Sequence, residues 1–153
     1  MHKITSVKQI LSEKGHEVWS TSPNITVFEA LKSMSDKGVG ALVVLENLKV
    51  VGVFSERDYA RKVILKGKSS KDLPVKEIMT RRVFCVKPEN TTEECMALMT
   101  EKHIRHLPVV LGDELVGIIS IGDVVKAIIS QQEFVIEQLE NYITGAYLTV
   151  SKK

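Results

Sequence analysis

Apolar and polar residues follow the same order in two stretches of the chain. Each stretch opens with a short apolar run that ends near a proline, Pro23 or Pro88, where a sheet ladder cannot continue. Apolar residues then recur at the spacing of one buried helical face, as in the run from Val27 to Met34. Two β-rich runs joined by a polar turn come next, and a second helix closes the stretch. The pattern predicts a β-α-β-β-α unit that occurs twice.

The two units align without a gap at an offset of 65, residues 18–64 against 83–129. Thirteen of the 47 aligned positions are identical, whereas average composition would supply about three by chance. The chain therefore carries an internal duplication. The hairpin strands are predicted at 41–45 and 50–54 in the first unit and at 107–111 and 115–119 in the second. The closing helices are predicted at 56–65 and 121–130. Asn24 and Asn90 are the predicted N-caps of the first helices.

A unit of about 47 residues buries too little surface to be stable alone, so we expect the two copies to pack around a pseudo-two-fold axis. The fold class is α/β (α+β), with additional helices at both ends. The N-terminal helix has Ile4, Val7 and Leu11 on one side. The C-terminal helix carries Val135, Leu139, Tyr142 and Ile143. The predicted divisions are an N-terminal helix, repeat one, a linker with a helical turn at 75–79, repeat two, and a C-terminal helix and tail: 1–17, 18–66, 67–82, 83–130 and 131–153.

Composition favours a globular protein, with 44% hydrophobic and 26% charged residues among 153. The net charge of +2 is too small to indicate nucleic-acid binding, although residues 57–82 hold nine basic and three acidic groups. That segment fits a phosphate-bearing ligand, an acidic partner or a solvated linker. The two cysteines form no disulfide framework, and neither a membrane-spanning run nor a signal peptide is evident. These features predict a cytoplasmic location.

The motif Gly-apolar-apolar-Ser-x-x-Asp occurs once in each repeat, at residues 52–58 and 117–123. One interpretation is purely structural, because a Ser followed three residues later by an acid resembles a capping box. The other is a ligand site. A carboxylate where a strand ends and a helix begins can accept both hydroxyls of a ribose, and helix ends and arginines hold phosphate.

The duplicated unit, the paired Ser-x-x-Asp motif and the strand 106–110 resemble paired cystathionine-beta-synthase (CBS) domains, an arrangement called a Bateman module. The resemblance covers about residues 4–130. It implies a regulatory sensor rather than an enzyme, one that binds AMP, ADP, ATP, NAD or S-adenosylmethionine between the repeats and forms homodimers. An effector protein, whose identity is unknown, would read the signal.

The resemblance also implies two clefts. In the first, Ser55 and Asp58 would hold ribose and arginines would hold phosphate. Its implied residues are Val39, Gly40, Ala41, Ser55, Arg57, Asp58, Arg61, Phe84, Cys85, Val86, Arg105 and His106. Those of the second cleft are Ser20, Thr21, Ile104, Ser120, Gly122 and Asp123. The first cleft should bind more tightly, because Gly122 and Gly40 stand where the first has Arg57 and Arg105.

Other functions remain as alternatives. His103, His106, Cys85 and Cys95 match no established metal-ligand spacing, and no nucleophile–base pair or phosphate-transfer loop is evident, so we expect no metal, catalytic residue or catalytic cofactor. The chain could instead be a structural homodimerisation module without a ligand. Nucleic-acid binding through residues 57–82 is a further alternative.

Overall fold

The order of helices and strands is the same in both halves of the chain. The computed structural model describes residues 5–143, and it confirms the mixed α and β fold with two repeats. Its helices are α1 Val7–Lys14, α2 Val27–Lys37, α3 Glu56–Lys62, α4 Thr92–Lys102 and α5 Ile121–Ile143. Its strands are β1 Ser20–Thr21, β2 Ala41–Glu46, β3 Lys49–Ser55, β4 His106–Leu111 and β5 Glu114–Ser120. Short 3₁₀ helices lie at Ile64–Lys66 and Val75–Glu77.

The two sheets differ in one strand. In repeat one, β1 runs parallel to β2, and β2 forms an antiparallel hairpin with β3. Repeat two has the hairpin β4–β5, but its first segment forms only a parallel bridge between Val86 and Val109. Val43 donates its N–H to Trp19 in repeat one, whereas the equivalent Pro108 has no N–H to donate. The strand predicted around residue 84 is therefore reduced to a bridge.

Threonines, rather than the predicted Asn24 and Asn90, cap the first helix of each repeat. Thr26 and Glu29 form a complete capping box at α2, and Thr91 and Glu94 form one at α4. In each box the threonine oxygen accepts from the glutamate N–H, and the glutamate carboxylate accepts from the threonine N–H. Asn90 supports its box from outside by donating its side-chain amide to Glu94.

The closing helices also end at other places than predicted. α3 stops at Lys62, and the chain tightens into the 3₁₀ turn before Gly67, which adopts a left-handed conformation. α5 continues to Ile143 as one helix of 23 residues, so no separate helix begins at residue 131. No proline interrupts it, and its only glycine, Gly122, lies in its first turn. Ile4 lies outside the described residues.

Each repeat is completed by the segment that precedes the other repeat. α1 contributes Val7, Ile10 and Leu11 to the core of repeat two, and residues 75–79 pack into the core of repeat one. The backbone repeats this exchange. The N–H of Lys8 donates to Pro88, and the N–H of Lys76 donates to Pro23. The turn predicted at 75–79 is thus the linker counterpart of α1.

The motif glycines permit this close packing. A Cβ on Gly52 would lie 2.6 Å from the Met79 sulfur, and one on Gly117 would lie 2.8 Å from the Leu11 side chain. The exchanged segments therefore pack directly against β3 and β5, the strands in which the two motifs begin. No helix within residues 5–143 is long and apolar enough to cross a membrane.

Candidate functional site

A cleft of about 630 Å³ lies between the two repeats. Its walls are the start of α3, the segment at residues 80–84 that enters repeat two, and the segment at 103–106 before β4. Its lining residues are Gly40, Val53, Ser55, Glu56, Arg57, Asp58, Arg61, Lys62, Thr80, Arg82, Val83, Phe84, His103, Ile104, Arg105 and His106. Both repeats therefore contribute to this cavity.

Eight of the twelve residues predicted for the first cleft line it, namely Gly40, Ser55, Arg57, Asp58, Arg61, Phe84, Arg105 and His106. The other four lie elsewhere. Val39 packs against the core of repeat one, and Ala41 is buried opposite Ser55 in the β2–β3 ladder. Cys85 is exposed, and Val86 is buried in the core of repeat two because it bridges to β4. From the predicted segments 39–41 and 84–86, only Gly40 and Phe84 therefore line the cleft.

Ser55 and Asp58 form a capping box at the start of α3. The Ser55 oxygen accepts from the Asp58 N–H at 3.1 Å, while Asp58 Oδ2 accepts from the N–H and the hydroxyl of Ser55 at 3.0 and 3.1 Å. Asp58 Oδ1 accepts from the Thr80 hydroxyl at 3.0 Å and lies 3.1 Å from Lys62 Nζ. Asp58 is 8% exposed, and the four acceptor positions of its carboxylate are all used. The structural interpretation of the motif is therefore correct, and the same carboxylate lies in the cleft wall.

Positive charge dominates the cleft. Arg57, Arg61, Lys62, Arg82 and Arg105 line it together with only two acids, Glu56 and Asp58. Walls of one charge sign concentrate the field inside a cleft and favour an anion.

Two of these cations also make contacts within the protein. Arg57 donates from Nη1 to the His103 carbonyl at 3.0 Å, which connects α3 of repeat one to the end of α4. Arg82 lies 5.6 Å from the centre of the Phe84 ring, a cation–π distance. The Arg57 hydrogen bond therefore connects the positive wall to both repeats.

His106 begins β4 and faces several charged groups. Burial lowers the pKa of its imidazole, and the nearby charges of Lys14 and Arg105 lower it further, while Asp123 and Glu56 oppose that change. The neutral form is therefore favoured while the cleft holds no added negative charge. An anion bound beside the ring would favour the protonated form.

The second motif has the same cap but a different environment. The Ser120 oxygen accepts from the Asp123 N–H at 3.2 Å, and Asp123 Oδ2 accepts from the Ser120 N–H at 2.8 Å. Lys14 of α1 forms an ion pair with Asp123 at 2.7 Å. Burial alone would raise the pKa of Asp123, but the hydrogen bond and charge of Lys14, with the bonds from Ser120, keep it below its ordinary value.

The residues predicted for the second cleft lie in β1, before β4, and at the junction of β5 and α5. A cavity of about 330 Å³ reaches Asp123, but it lies between α1 and α5 and includes neither Ser120 nor Gly122. Ser20 and Thr21 form β1 beside β2. Ile104 lines the first cleft, because the turn after α4 brings it to that wall. The second inter-repeat cleft stays a prediction.

Eight further residues line the first cleft that the sequence interpretation missed, Val53, Glu56, Lys62, Thr80, Arg82, Val83, His103 and Ile104. Lys62 had a usable signal, since it stands one helical turn after Asp58. Thr80 had none, because it reaches Asp58 only through the folding of the linker along β3.

The candidate metal ligands do not form a metal site in the described part of the chain. Within residues 5–143, no group of three or more His, Cys, Asp and Glu side chains is arranged to hold a metal ion. Cys95 is buried in the core of repeat two, and its burial, with a smaller contribution from Glu94, raises the pKa of its thiol to about 11. Partial desolvation also raises the pKa of the Cys85 thiol. Raised thiol pKa values are opposite to those of reactive cysteines.

Comparison with known proteins agrees with this architecture. The family model of the CBS domain matches residues 7–64 and 75–130. The chain is 39% identical over 153 residues to the mitochondrial CBS domain-containing protein CBSX3 of Arabidopsis thaliana, covering 94% of this chain and 74% of that protein. It is 31% identical over 146 residues to the CBS domain-containing protein YhcV of Bacillus subtilis, covering 95% and 94% of the two chains.

A solved structure has the same fold. The CBS-domain containing protein ATU1752 from Agrobacterium tumefaciens superimposes with a TM-score of 0.77 at 39% identity, and the match covers 80% of this chain and 98% of that one. The two matches to the family model agree with the two hairpin repeats and the cleft between them. The chain belongs to the CBS-domain family and carries two CBS domains in tandem.

Proposed function

We propose that this protein is a regulatory module that binds an adenosine-containing nucleotide, AMP, ADP, ATP or NAD, in the cleft between its repeats. S-adenosylmethionine is a further candidate of the same class. The observation that carries the proposal is the combination, in one cavity, of the Ser55 and Asp58 acceptors with five cationic side chains. The hydroxyls of a ribose can donate to these acceptors, and a phosphate can accept from the cationic side chains. The walls therefore fit a ligand that carries both groups. The proposed role is regulatory. The cytoplasmic location stays a prediction.

The ribose would enter by replacing a partner of Asp58. All four acceptor positions of this carboxylate are used, and Lys62 is the partner that can leave at least cost, because 42% of its side chain is exposed. Its Nζ also donates to the Ile78 carbonyl at 3.1 Å, an interaction that remains available after it leaves Asp58. Two ribose hydroxyls would then donate to Asp58. Lys62 would add its charge to the phosphate side of the cleft.

The adenine would lie against the apolar part of the cleft. Val53, Val83, Phe84 and Ile104 line the cavity from both repeats. Gly40 also lines the cavity, and a Cβ at this position would crowd the Glu56 carboxylate at 3.3 Å. The glycine therefore leaves space at this wall. Apolar walls with a few polar groups at one end are typical of sites for small ligands.

Titration calorimetry tests the proposal directly. AMP, ATP and NAD are titrated separately into the protein at low salt, with inosine monophosphate as a purine control that lacks the adenine amino group. At least one adenosine ligand should bind with heat, and inosine monophosphate should bind more weakly. Absence of binding by every adenosine ligand at millimolar concentration would contradict the proposal.

Removal of Arg105 should weaken AMP more than adenosine. The Arg105 side chain lines the cleft, and a charge-assisted hydrogen bond to phosphate contributes about 1.5–3 kcal/mol. Arg105→Met should therefore reduce AMP affinity about tenfold or more and change adenosine affinity little, as measured by calorimetry. Arg81→Met is the matched control, because Arg81 lies nearby but donates to the Lys76 carbonyl outside the cleft. Equal losses for AMP and adenosine would refute the phosphate role.

Binding of AMP should take up protons through His106. Its pKa is low in the free protein, because of burial and the charges of Lys14 and Arg105, and a bound phosphate would raise it. The affinity should consequently increase as the pH falls from 8 towards 6. His106→Gln should retain only the pH dependence of the phosphate group itself, which titrates near pH 6. Identical pH profiles for both proteins would contradict this role for His106.

The basic segment favours a small anion over a nucleic acid. Arg57, Arg61, Lys62 and Arg82 converge on the cleft instead of forming an open strip. Lys71 lies over the Phe28 ring and is directed elsewhere. A binding curve for RNA or DNA with steep salt dependence would favour the alternative.

Assembly into homodimers is the second part of the proposal. α5 exposes apolar side chains, among them Ile129, Ile136 and Leu139, each more than 50% exposed. A related solved structure with 30% identity is a hexameric CBS-CP12 protein from bloom-forming cyanobacteria. The homodimer would offer a surface that changes when nucleotide binds, which an effector protein could read.

A further inference from the structure

We propose that Lys14 occupies the sugar acceptor of the second CBS motif, so that the chain binds one nucleotide instead of two. The inference rests on the proposed function of the first cleft and concerns the equivalent position in repeat two. Lys14 thus determines the binding stoichiometry of the module.

The first step is the equivalence of the two acceptors. Asp58 and Asp123 occupy matching places in the duplication and cap their helices through the same pair of bonds to Ser55 and Ser120. In repeat one the partner from the exchanged segment is Thr80. Its hydroxyl donates to Asp58, and its backbone N–H donates to the Val53 carbonyl.

The second step is that one ammonium group makes both of those interactions in repeat two. Lys14 Nζ lies 2.7 Å from Asp123 Oδ2 and 2.9 Å from the carbonyl of Ile118, the residue equivalent to Val53. It reaches them because α1 continues as a helix to Lys14, whereas the linker segment leaves its 3₁₀ turn at Glu77 and pairs Thr80 with β3. The exchanged segments therefore deliver a small hydroxyl to one motif and a long cation to the other.

The third step is the charge that remains for a ligand. At the first motif, Lys62 neutralises Asp58 and several arginines are left to receive phosphate. At the second motif, Ala127 stands where Lys62 does and Gly122 stands where Arg57 does. Lys14 is the cation that neutralises Asp123. Lys126, at the position equivalent to Arg61, is the cation that the second motif keeps. A ribose that uses both oxygens of Asp123 would have to displace Lys14 from Oδ2, and a phosphate would meet this one lysine where the first motif offers Arg57, Arg61 and Lys62.

Stoichiometry tests the inference. Adenosine and AMP are titrated by calorimetry into wild type, Lys14→Met and the control Lys8→Met, which removes an exposed lysine from the same helix. Wild type and Lys8→Met should bind one equivalent per chain. Lys14→Met should bind two, and the second site should prefer AMP over adenosine less than the first does, because of the phosphate cations it keeps only Lys126. Adding Asp123→Asn to Lys14→Met should return the value to one.

The outcomes separate this inference from the function on which it rests. Two equivalents in wild type, or one in a folded Lys14→Met protein, would overturn the role of Lys14 and leave the first cleft intact. Binding by Lys14→Met with none by wild type would support Lys14 and overturn the first cleft. No binding by either protein would overturn both. If Lys14→Met does not fold, Lys14→Gln keeps a polar helix former at the position, and the wild-type stoichiometry alone still decides against the inference if it is two.

Discussion

Asp58→Ala should weaken AMP binding at least tenfold and lower the free energy of unfolding by about 2–3 kcal/mol. The affinity falls because the ribose loses one or two charge-assisted hydrogen bonds, each of about 1.5–3 kcal/mol. Stability falls because the buried Asp58 accepts from Ser55, Thr80 and Lys62. Loss of a helix cap alone costs about 1 kcal/mol, and unpaired donors add to that cost.

Two further variants separate the two effects. Asp58→Asn keeps the shape and part of the cap, so it should recover much of the stability but less of the AMP affinity, which depends on the negative charge. Asp36→Ala removes an exposed carboxylate from α2 and should change neither quantity. Urea unfolding measures the stability of each variant, and calorimetry measures its affinity for AMP. If Asp58→Ala lowers stability but binds AMP as wild type does, the motif acts only as a helix cap.

Gly52→Val should lower the free energy of unfolding by about 2–3 kcal/mol and weaken AMP binding several-fold. A Cβ at Gly52 would lie 2.6 Å from the Met79 sulfur and 3.0 Å from the backbone carbonyl of Thr80. The flexible methionine can move, but the carbonyl belongs to the ladder in which Thr80 and Val53 exchange hydrogen bonds. Overpacking of this kind typically costs about 1–3 kcal/mol. Because Thr80 lines the cleft, the displacement should reach the ligand.

Gly122→Ala is the matched control for this substitution. A Cβ there would meet only the Ser120 hydroxyl at 3.6 Å, an ordinary contact, in the first turn of α5. Alanine is the better helix former, so the variant should be as stable as wild type or slightly more stable. If Gly52→Val unfolds as wild type does, residues 75–80 can pack against β3 without a glycine at that position. The proposed effect of linker packing on the cleft would then be wrong.

Much of the fold was predictable because the duplication supplies each element twice. The hairpins and helices follow from periodicity, and the repeat pairs Val43 with Pro108, the substitution that explains the missing strand. The caps were misassigned because Asn24 and Asn90 precede the true N-caps, Thr26 and Thr91, by two residues and one residue. The box of Thr26 with Glu29 was present in the sequence and identifies the true start. The exchange of α1 and the linker between repeats was not predictable, since it depends on packing between distant segments.

The first cleft was predictable where residues belong to the motif or to its helix. Ser55, Asp58, Arg57 and Arg61 are local to one strand–helix junction, so the motif identifies them. Thr80 and Arg82 come from the linker, whose path along β3 the spacing of the sequence does not reveal. Lys14 is 109 residues from Asp123 in the chain, and its ion pair depends on that same exchange of segments.

A structure of the protein crystallised with millimolar AMP tests the central claim most directly. The account predicts one AMP molecule per chain in the cleft between the repeats. Its ribose hydroxyls should bind Asp58, Lys62 should have moved from that carboxylate, and the phosphate should lie among Arg57, Arg61 and Arg105. An empty cleft at saturating AMP, or AMP bound to a surface away from Asp58, would contradict the account.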